Sequence, residues 1–296
     1  MILGTVQLGM NYGINNAIGK PPFRQAIEIL DIAYKNGIRR LDTAPAYEES
    51  EELIGYYHQR SGNSFDICTK LSIDFLEKNK SDIYSIKKVI ARSCEKLKVP
   101  RLYCYYLHRF EQCKNAELIA TLEQIKHEGL IDNVGISIYF PKELEYICSF
   151  LAQKVDIVQI PYNIFSLDLW NDVIKEAHDK GIRIFARSIF LQGLVFKRTD
   201  DEFVKKIGAV TYLEFIHKLA EKLNVSISQL CFDVVKSNGY IDDILMGCET
   251  IEQLSDNIGL KSGFTSFDNG LMHDIEKVMD GVPDDMINPS EWGKYN

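Results

Sequence analysis

The strongest constraint on the fold is a rhythm that recurs along the chain, in which a short apolar run is followed by a turn and a segment of helical period. Eight such runs occur, each short and apolar enough to form a strand buried on both faces. Strand–helix alternation implies a parallel sheet. The predicted strands are Ile2–Gln7, Ile38–Asp42, Phe65–Lys70, Leu102–Leu107, Ile131–Ser137, Asp156–Ile160, Ile182–Ala186 and Asp243–Gly247.

Helical spacing of apolar residues predicts the segments between the strands. We expect Ser81 to cap the second helix, and a Thr250-x-x-Gln253 capping-box pattern opens the last one. The predicted helices are Phe23–Asn36, Asp82–Leu97, Ala116–Glu128, Leu167–Lys180, Leu213–Leu223, Ser228–Ser237 and Thr250–Ile258.

The number and order of these units predict an α/β fold, a parallel (β/α)₈ TIM barrel. A doubly wound open sheet is the alternative, but no GxGxxG follows the first strand and no Walker A sequence occurs. Without a linker or low-complexity tract, residues 1–296 are interpreted as one domain. Its tail, from about residue 278 to 296, is expected to be a surface extension anchored by Trp292.

Charge and cysteine content restrict the partners. The 34 basic and 42 acidic residues give a net charge of −8, which argues against general nucleic-acid binding. The seven cysteines include no CxxC pair, which indicates a reducing compartment. The N-terminus lacks a signal-peptide pattern and no apolar run is long enough for a bilayer, so we expect a cytoplasmic protein without a membrane partner.

Polar residues stand where the predicted strands end, which is where a TIM barrel builds its site. Asp42 ends the second strand and Tyr47 follows it, Lys70 ends the third, and His108 follows the fourth. Taken singly, an Asp before a turn is usually a cap, a Lys at a strand end is usually solvated and a Tyr in a loop usually packs. Their occurrence at successive strand ends favours one shared site.

The four residues form a coherent chemical set. A free Tyr has a pKa of about 10, and an adjacent ammonium group favours its phenolate. A carboxylate such as Asp42 holds the Lys70 ammonium in place and keeps it charged. A neutral His108 can orient a carbonyl oxygen, so that Tyr47 becomes a proton donor for a developing alkoxide.

The sequence resembles the aldo-keto reductases. The segments that carry the resemblance occur in the family's order: LDTAPAYEESEELIG (41–55), CTK (68–70), YYLHR (105–109), VGIS (134–137), DIVQIPYN (156–163) and GCETIEQLSDN (247–257). The resemblance implies an NAD(P)H-dependent carbonyl reductase in a (β/α)₈ barrel, acting as a monomer without a metal. It implies Tyr47 as the acid, supported by Asp42, Lys70 and His108.

The resemblance also implies where the cofactor lies. Ser137 and Gln159 match positions that hold the nicotinamide carboxamide. The loop over the pyrophosphate is matched by Ser188, Leu191, Gln192 and Gly193, and the adenosine segment by Gly247, Glu249, Thr250, Gln253 and Asn257. A helix N-terminus is suited to an anionic group.

Glu249 is a departure from the family pattern. Many family members carry Lys or Arg in this segment to bind the 2′-phosphate of NADP, whereas residues 248–253 here contain no basic residue. A carboxylate repels a 2′-phosphate and can accept hydrogen bonds from a free 2′-hydroxyl. We therefore expect a weaker NADP preference than is usual, with NAD(H) as the alternative cofactor. If Glu249 instead points into solvent, this expectation does not hold.

Arg187 is the second departure, because many family members place an aromatic residue there to stack on the nicotinamide. A guanidinium group can stack on the ring, or it can bind a pyrophosphate or an anionic substrate. Arg109 adds another positive group beside His108, and Tyr12 is expected to contact substrate. We therefore expect the substrate to be a sugar or an anionic carbonyl compound. Alternatively, each Arg pairs with a carboxylate such as Glu48, Glu49 or Glu111.

Two other functional classes are alternatives for a barrel of this kind. A regulatory or sensor module can keep the barrel and the cofactor site while another protein is its main partner, but the intact set of four residues favours an enzyme. A metal-dependent lyase or hydrolase needs a cluster of His and carboxylate ligands. Only His108 of the six histidines falls at the end of a predicted strand.

Overall fold

Eight parallel strands close into a barrel in the computed structural model, which describes residues 1–16, 18–78, 81–260, 263 and 267–295. Each strand pairs with the next along the chain and β8 pairs with β1, so the predicted barrel is confirmed and the open sheet is excluded. The strands are β1 Ile2–Gly4, β2 Arg40–Asp42, β3 Asp66–Leu71, β4 Cys104–Leu107, β5 Val134–Ser137, β6 Ile157–Pro161, β7 Arg183–Arg187 and β8 Asp243–Gly247.

Helices connect the strands and surround the barrel. They are α1 Val6–Gly9, α2 Phe23–Lys35, α3 Ser50–Ser61, α4 Phe75–Lys78, α5 Ile83–Leu97, α6 Ala116–His127, α7 Pro141–Phe150, α8 Leu167–Asp179, α9 Glu202–Lys206, α10 Val210–Leu223, α11 Ile227–Ser237, α12 Ile251–Leu260, α13 Asn269–Met279 and α14 Asp284–Ile287. Short 3-10 segments cover Phe110–Lys114, Leu191–Phe196 and Pro289–Lys294.

The first strand is shorter than predicted, because it ends at Gly4 and the chain turns into α1. The Thr5 hydroxyl donates to the carbonyl of Asp42 at 2.9 Å, and Leu8 N donates back to the Thr5 carbonyl. The hydrogen bond from Leu8 N closes a local turn, which takes the place of a longer strand. A Cβ at Gly9 would lie 2.0 Å from the Tyr47 carbonyl oxygen, so α1 reaches the β2 loop only because residue 9 is glycine.

Three helices of ten or more residues were not predicted: α3, α7 and α13. The α3 segment has no clean apolar stripe, and its interior Gly55 sits where a Cβ would lie 1.8 Å from the Lys96 carbonyl of α5. The α7 helix begins with Pro141, and Glu143 accepts from two backbone N–H groups before it. Tertiary contacts therefore stabilise α3, whereas α7 is stabilised by its N-terminal hydrogen bonds together with the burial of Leu144, Ile147 and Cys148.

The prediction that Ser81 caps α5 is wrong. Asp82, rather than Ser81, accepts from Ser85 N at 3.0 Å and caps the helix. Ser81 instead donates its hydroxyl to Glu117 of α6. The Ser81 side chain therefore connects two helices.

The hydrophobic core has two parts. The larger one fills the space between the barrel and its helices. The smaller one lies apart from it; we call it the barrel floor, and it is formed by Ile2, Cys68, Cys104, Tyr106, Ile157 and Phe185. All seven cysteines of the chain are buried free thiols.

The tail is held by Trp292, which is 2% exposed and meets the ring of Phe203 edge-on at 5.3 Å. Its indole N–H donates to the carbonyl of Asp285 at 2.9 Å. Within the described part of the chain, no helix has the length and apolar character needed to cross a membrane.

Candidate active site

A cavity of about 340 Å³ opens at the carboxyl ends of the strands. All four residues predicted to be catalytic line it, and so do most of those predicted to bind cofactor. The predicted residues on its wall are Tyr12, Asp42, Tyr47, Lys70, His108, Ser137, Gln159, Arg187, Ser188, Gln192, Gly193, Gly247, Glu249, Gln253 and Asn257.

The pleat of the strands explains why these polar side chains share one cavity. Successive residues of a strand point to opposite faces, so residues two apart share a face. On several strands a floor residue is followed two positions later by a polar residue of the cavity wall. The pairs are Cys68 and Lys70, Tyr106 and His108, Ile157 and Gln159, and Phe185 and Arg187.

Asp42 and Lys70 form a buried ion pair between neighbouring strands. Lys70 Nζ donates to Asp42 Oδ1 at 2.5 Å and to the Thr43 carbonyl at 2.9 Å, and the two charged side chains are at most 5% exposed. Burial disfavours the ammonium, but Asp42 and Tyr47 outweigh it and the pKa of Lys70 is raised. Lys70 is therefore a fixed positive charge at neutral pH.

Tyr47 lies in the loop after β2, with Lys70 Nζ 5.0 Å from the centre of its ring. Burial raises the pKa of Tyr47 above its ordinary value of 10.0 and outweighs Lys70, which lowers it. The sequence-based expectation of a net lowering of the pKa is thus wrong, because it counted the ammonium but not the burial of the hydroxyl. Tyr47 is protonated at neutral pH, as a proton donor must be.

His108 is neutral. Burial lowers the pKa of this residue from 6.5 to about 3, and the positive charges of Lys70, Arg187 and Arg109 act in the same direction. Its Nδ1 is buried and has no hydrogen-bond partner among the described residues. A neutral imidazole carries one N–H and can donate it to a carbonyl oxygen without adding charge.

Gln159 reaches across the barrel to Asp42. Its Nε2 donates to Asp42 Oδ2 at 3.0 Å, so the two carboxylate oxygens of Asp42 have different donors. Ser137 is the register partner of Gln159 on β5, and both side chains are buried at the cavity wall.

Arg187 brings a positive charge to the cavity. Its Nη2 donates to the Ile138 carbonyl at 2.9 Å, and its guanidinium lies 4.4 Å from the centre of the Tyr139 ring. No carboxylate of the described chain pairs with Arg187, and Glu49 pairs instead with Lys20 at 2.6 Å. The expected alternative of an acidic partner is therefore not observed for Arg187.

The loop after β7 crosses toward the loop after α1. Gln192 Nε2 donates to the Tyr12 hydroxyl at 3.2 Å, and Asn15 Nδ2 donates to the Gly193 carbonyl at 3.3 Å. Left-handed backbone shapes this crossing at Ser188 (φ 59°), Leu191 (φ 45°), Gln192 (φ 53°) and Gly193 (φ 92°).

Glu249 is half-buried at the cavity wall and is held by Gln253. Glu249 N donates to Gln253 Oε1 at 2.7 Å, and Gln253 Nε2 donates to Glu249 Oε2 at 3.2 Å. The predicted capping box forms in part, since the Thr250 hydroxyl accepts from Gln253 N at 3.2 Å. Asn257 donates to the Gly247 carbonyl at 3.2 Å and joins the helix to the end of β8.

Three predicted residues lie outside the cavity wall. Arg109 is exposed, Leu191 is fully buried beneath its loop, and Thr250 acts as a helix cap. The structure thus does not bring Arg109 into the site, contrary to the sequence-based prediction. Arg109 has extended backbone, and neighbouring side chains of an extended segment point in opposite directions.

Several wall residues escaped the sequence reasoning. Tyr139 lies two positions beyond Ser137, so the period of two could have identified it. Asn15, Phe190, Phe196 and Ser228 belong to loops, short 3-10 segments or helix starts, for which the sequence gives no such period, and Asp256 lies within α12. Across the described ranges, no group of three or more His, Cys, Asp or Glu residues could hold a metal ion.

Comparison with known proteins identifies the family. Residues 1–278 match the model of the aldo/keto reductase family. Aldo-keto reductase str7 from Strobilurus tenacellus is 27% identical over 263 residues, covering 80% of this chain and 76% of the relative. D-arabinose 1-dehydrogenase from Saccharomyces cerevisiae is 28% identical over 167 residues, covering 53% of this chain and 50% of the relative.

Among solved structures, the holo form of the aldo-keto reductase AKR11C1 from Bacillus halodurans superposes with a TM-score of 0.75 at 18% identity, covering 97% of this chain and 95% of the other. This likeness supports the fold. The chain belongs to the aldo/keto reductase family, and is accordingly an NAD(P)H-dependent oxidoreductase.

The depressed pKa of His108 predicts a pH-dependent stability. The folded protein keeps the ring unprotonated down to a pKa of about 3, whereas the unfolded chain protonates it near 6.5. The stability contributed by neutral His108 is therefore fully present above pH 6.5. As the pH falls from 6.5 toward about 3, the free energy of unfolding decreases by at most ~1.4 kcal/mol per pH unit. We expect His108→Asn to flatten this fall in the free energy of unfolding, measured by urea denaturation.

His127→Asn on the exposed face of α6 is the matched control and should follow the unmodified protein. An unchanged pH slope in His108→Asn would show that His108 titrates alike in the folded and unfolded chain, contrary to the lowered pKa.

Proposed function

We propose that the protein reduces an aldehyde or ketone to an alcohol, with Tyr47 as general acid. The observation that carries the proposal is the convergence of Tyr47, the Asp42–Lys70 ion pair and neutral His108 on one cavity at the strand ends. A nicotinamide cofactor, when bound, supplies the hydride. The chain's residues orient the carbonyl and provide the proton.

The proton step follows from the three environments. His108 donates to the carbonyl oxygen as a neutral group and directs it toward the Tyr47 hydroxyl. As charge develops on that oxygen, Tyr47 gives up its proton and the Lys70 ammonium stabilises the phenolate left behind. Asp42 holds Lys70 at 2.5 Å, so the ammonium does not have to move during the step.

The residues of the cavity suit a dinucleotide. Amide and hydroxyl groups of Gln159 and Ser137 can bind the carboxamide, and the loop containing Ser188 and Gln192 lies along the cavity for the pyrophosphate. Gly193 has φ 92°, and a Cβ there would lie 2.8 Å from Asn15 Cβ, so the two loops meet only with glycine at this position. The segment from Gly247 to Asn257 would bind the adenosine part of the dinucleotide.

Tyr47→Phe tests the role of the acid. Removing the hydroxyl while keeping the ring should lower kcat about 10²–10⁴-fold, because proton transfer loses its donor. The dissociation constant of the cofactor should stay within about twofold, because the hydride donor is bound by other residues. Steady-state reduction of a panel of small aldehydes and fluorescence titration with NADH and NADPH measure the two quantities.

Exposed Tyr84→Phe on α5 is the matched control. Full turnover by Tyr47→Phe would remove Tyr47 as the acid. Tight cofactor binding without turnover by the unmodified protein would favour the regulatory module instead.

Glu249 supports the proposal that NAD(H) is accepted as well as NADP(H). The cavity wall at the adenosine end carries the carboxylates Glu249 and Asp256, and the cations on the described wall are Lys70 and Arg187 near the catalytic groups. Gln253 donates a hydrogen bond to Glu249 and holds its side chain near the expected ribose position.

Glu249→Gln should therefore strengthen NADPH binding about tenfold and change NADH binding much less, because it removes repulsion of the 2′-phosphate. Dissociation constants for both cofactors, measured by fluorescence titration, give the ratio. Glu252 is exposed and lies three residues after Glu249, so Glu252→Gln is the control. It should leave the ratio of the two dissociation constants unchanged. A strong NADPH preference that is the same in all three proteins would contradict the proposal.

Arg187 supports a substrate that carries an anionic group beside its carbonyl. Lys70 is paired with Asp42, whereas Arg187 keeps its charge without a carboxylate partner in the described chain and lies near enough to affect the pKa values of Tyr12, Tyr47 and His108. Sugars remain in the proposal, since one relative is a D-arabinose 1-dehydrogenase. An acidic sugar or a carboxylated aldehyde would place both a carbonyl group and a negative charge within the cavity beside Arg187.

Arg187→Met should lower kcat/KM for a carboxylated aldehyde about 10–100-fold and for its methyl ester much less, since one charge-assisted contact contributes about 1.5–3 kcal/mol. Arg109→Met is the matched control, because Arg109 is exposed and lies outside the cavity wall. Equal losses for acid and ester in Arg187→Met would show that the guanidinium acts on the cofactor or on packing.

A further inference from the structure

The hydrogen bond between Gln159 and Asp42 joins two parts of the site that lie on different strands. Gln159 is on β6 and Asp42 ends β2, and their side chains meet at 3.0 Å inside the barrel. Both residues are at most 3% exposed, so solvent does not weaken this contact. The other oxygen of Asp42 binds Lys70, and the three side chains form one chain of hydrogen bonds.

Charge fixes the orientation of the Gln159 amide. An ionised carboxylate can only accept hydrogen bonds, so the amide nitrogen must face Asp42. The amide oxygen Oε1 accepts no hydrogen bond from the described residues, and it is not among their buried unpartnered atoms. Since Gln159 lines the cavity, Oε1 is the end of the amide that the cavity can reach.

The charge of Asp42 affects the pKa of Tyr47. The carboxylate of Asp42 raises the pKa of Tyr47, and Lys70 and Arg187 lower it. Tyr12 and neutral His108 complete the ionisable groups around the phenol. A donor that shares the negative charge of Asp42 therefore favours the phenolate that Tyr47 becomes after proton transfer.

We propose that Gln159 is a positioning residue for proton transfer, which links the carboxamide end of the cavity to the Asp42–Lys70 pair. The proposal rests on the function proposed above. A donor on the carboxamide that binds Oε1 polarises the amide and strengthens its hydrogen bond to Asp42. Occupancy of the cofactor site and the readiness of Tyr47 to release its proton are thereby coupled through one side chain.

Gln159→Met tests the coupling, because it keeps the length of the side chain and removes both hydrogen-bonding ends. With Asp42 Oδ2 no longer sharing its charge, the alkaline limb of kcat/KM for aldehyde reduction should move to higher pH by about 0.5–1 unit. The dissociation constant of NADH, measured by fluorescence titration, should rise roughly tenfold. Gln159→Glu retains size and polarity and should move the limb at least as far, because it adds a second carboxylate beside Asp42.

Ser137→Ala is the matched control. Ser137 lies beside Gln159 at the same end of the cavity, but it makes no hydrogen bond to Asp42 among the described contacts. We expect this variant to weaken NADH binding without moving the alkaline limb. Circular dichroism and thermal unfolding of each variant establish that it is folded.

Two results would overturn the proposal in distinguishable ways. If the unmodified protein reduces aldehydes and both Gln159 variants keep its alkaline limb, Gln159 binds cofactor only and the coupling is absent. If the unmodified protein binds NADH but turns over no carbonyl compound, the proposed function itself fails and the coupling has no reaction to serve.

Discussion

The buried ion pair between Asp42 and Lys70 is the interaction on which the site depends. Two charges removed from water cost several kcal/mol each unless they are paired and their remaining hydrogen-bonding positions are filled. Here Lys70 also binds the Thr43 carbonyl, and Asp42 also binds Gln159. The pair is satisfied only when β2, β3 and β6 lie around one barrel, so closing the barrel and assembling the site are the same event.

The side chains inside the barrel form two layers along its axis, because residues two apart on a strand share a face. Apolar floor residues such as Tyr106 and Phe185 exclude water from one end, and side chains two positions further along the same strands face the cavity at the other. The floor keeps the surroundings of Lys70 dry, which strengthens its attraction for a nearby phenolate. The same burial raises the pKa of Tyr47 and keeps His108 neutral. One packing arrangement thus sets the protonation states of the proposed acid and of the group proposed to orient the carbonyl.

Sequence reasoning identified the barrel, because apolar strands of regular spacing have few other ways to be buried. It located Asp42, Lys70 and His108, because a strand's polar end is visible in the sequence. It missed α3, whose Gly55 packs against α5 rather than following an apolar period. It also placed Arg109 in the site, although neighbouring side chains of an extended segment point in opposite directions and Arg109 adjoins His108. The link from Gln159 to Asp42 spans 117 positions and exists only after closure, so no local pattern reveals it.

The loop after β7 carries a conformational cost that a different sequence could avoid. Ser188, Leu191 and Gln192 hold left-handed backbone, which costs a non-glycine residue about 1–2 kcal/mol each. Glycine at these positions would relieve that strain and also let the loop sample many more paths. The three non-glycine residues therefore restrict the loop to fewer paths than glycine would allow, and the apolar barrel beneath the loop supplies stability that offsets their conformational cost.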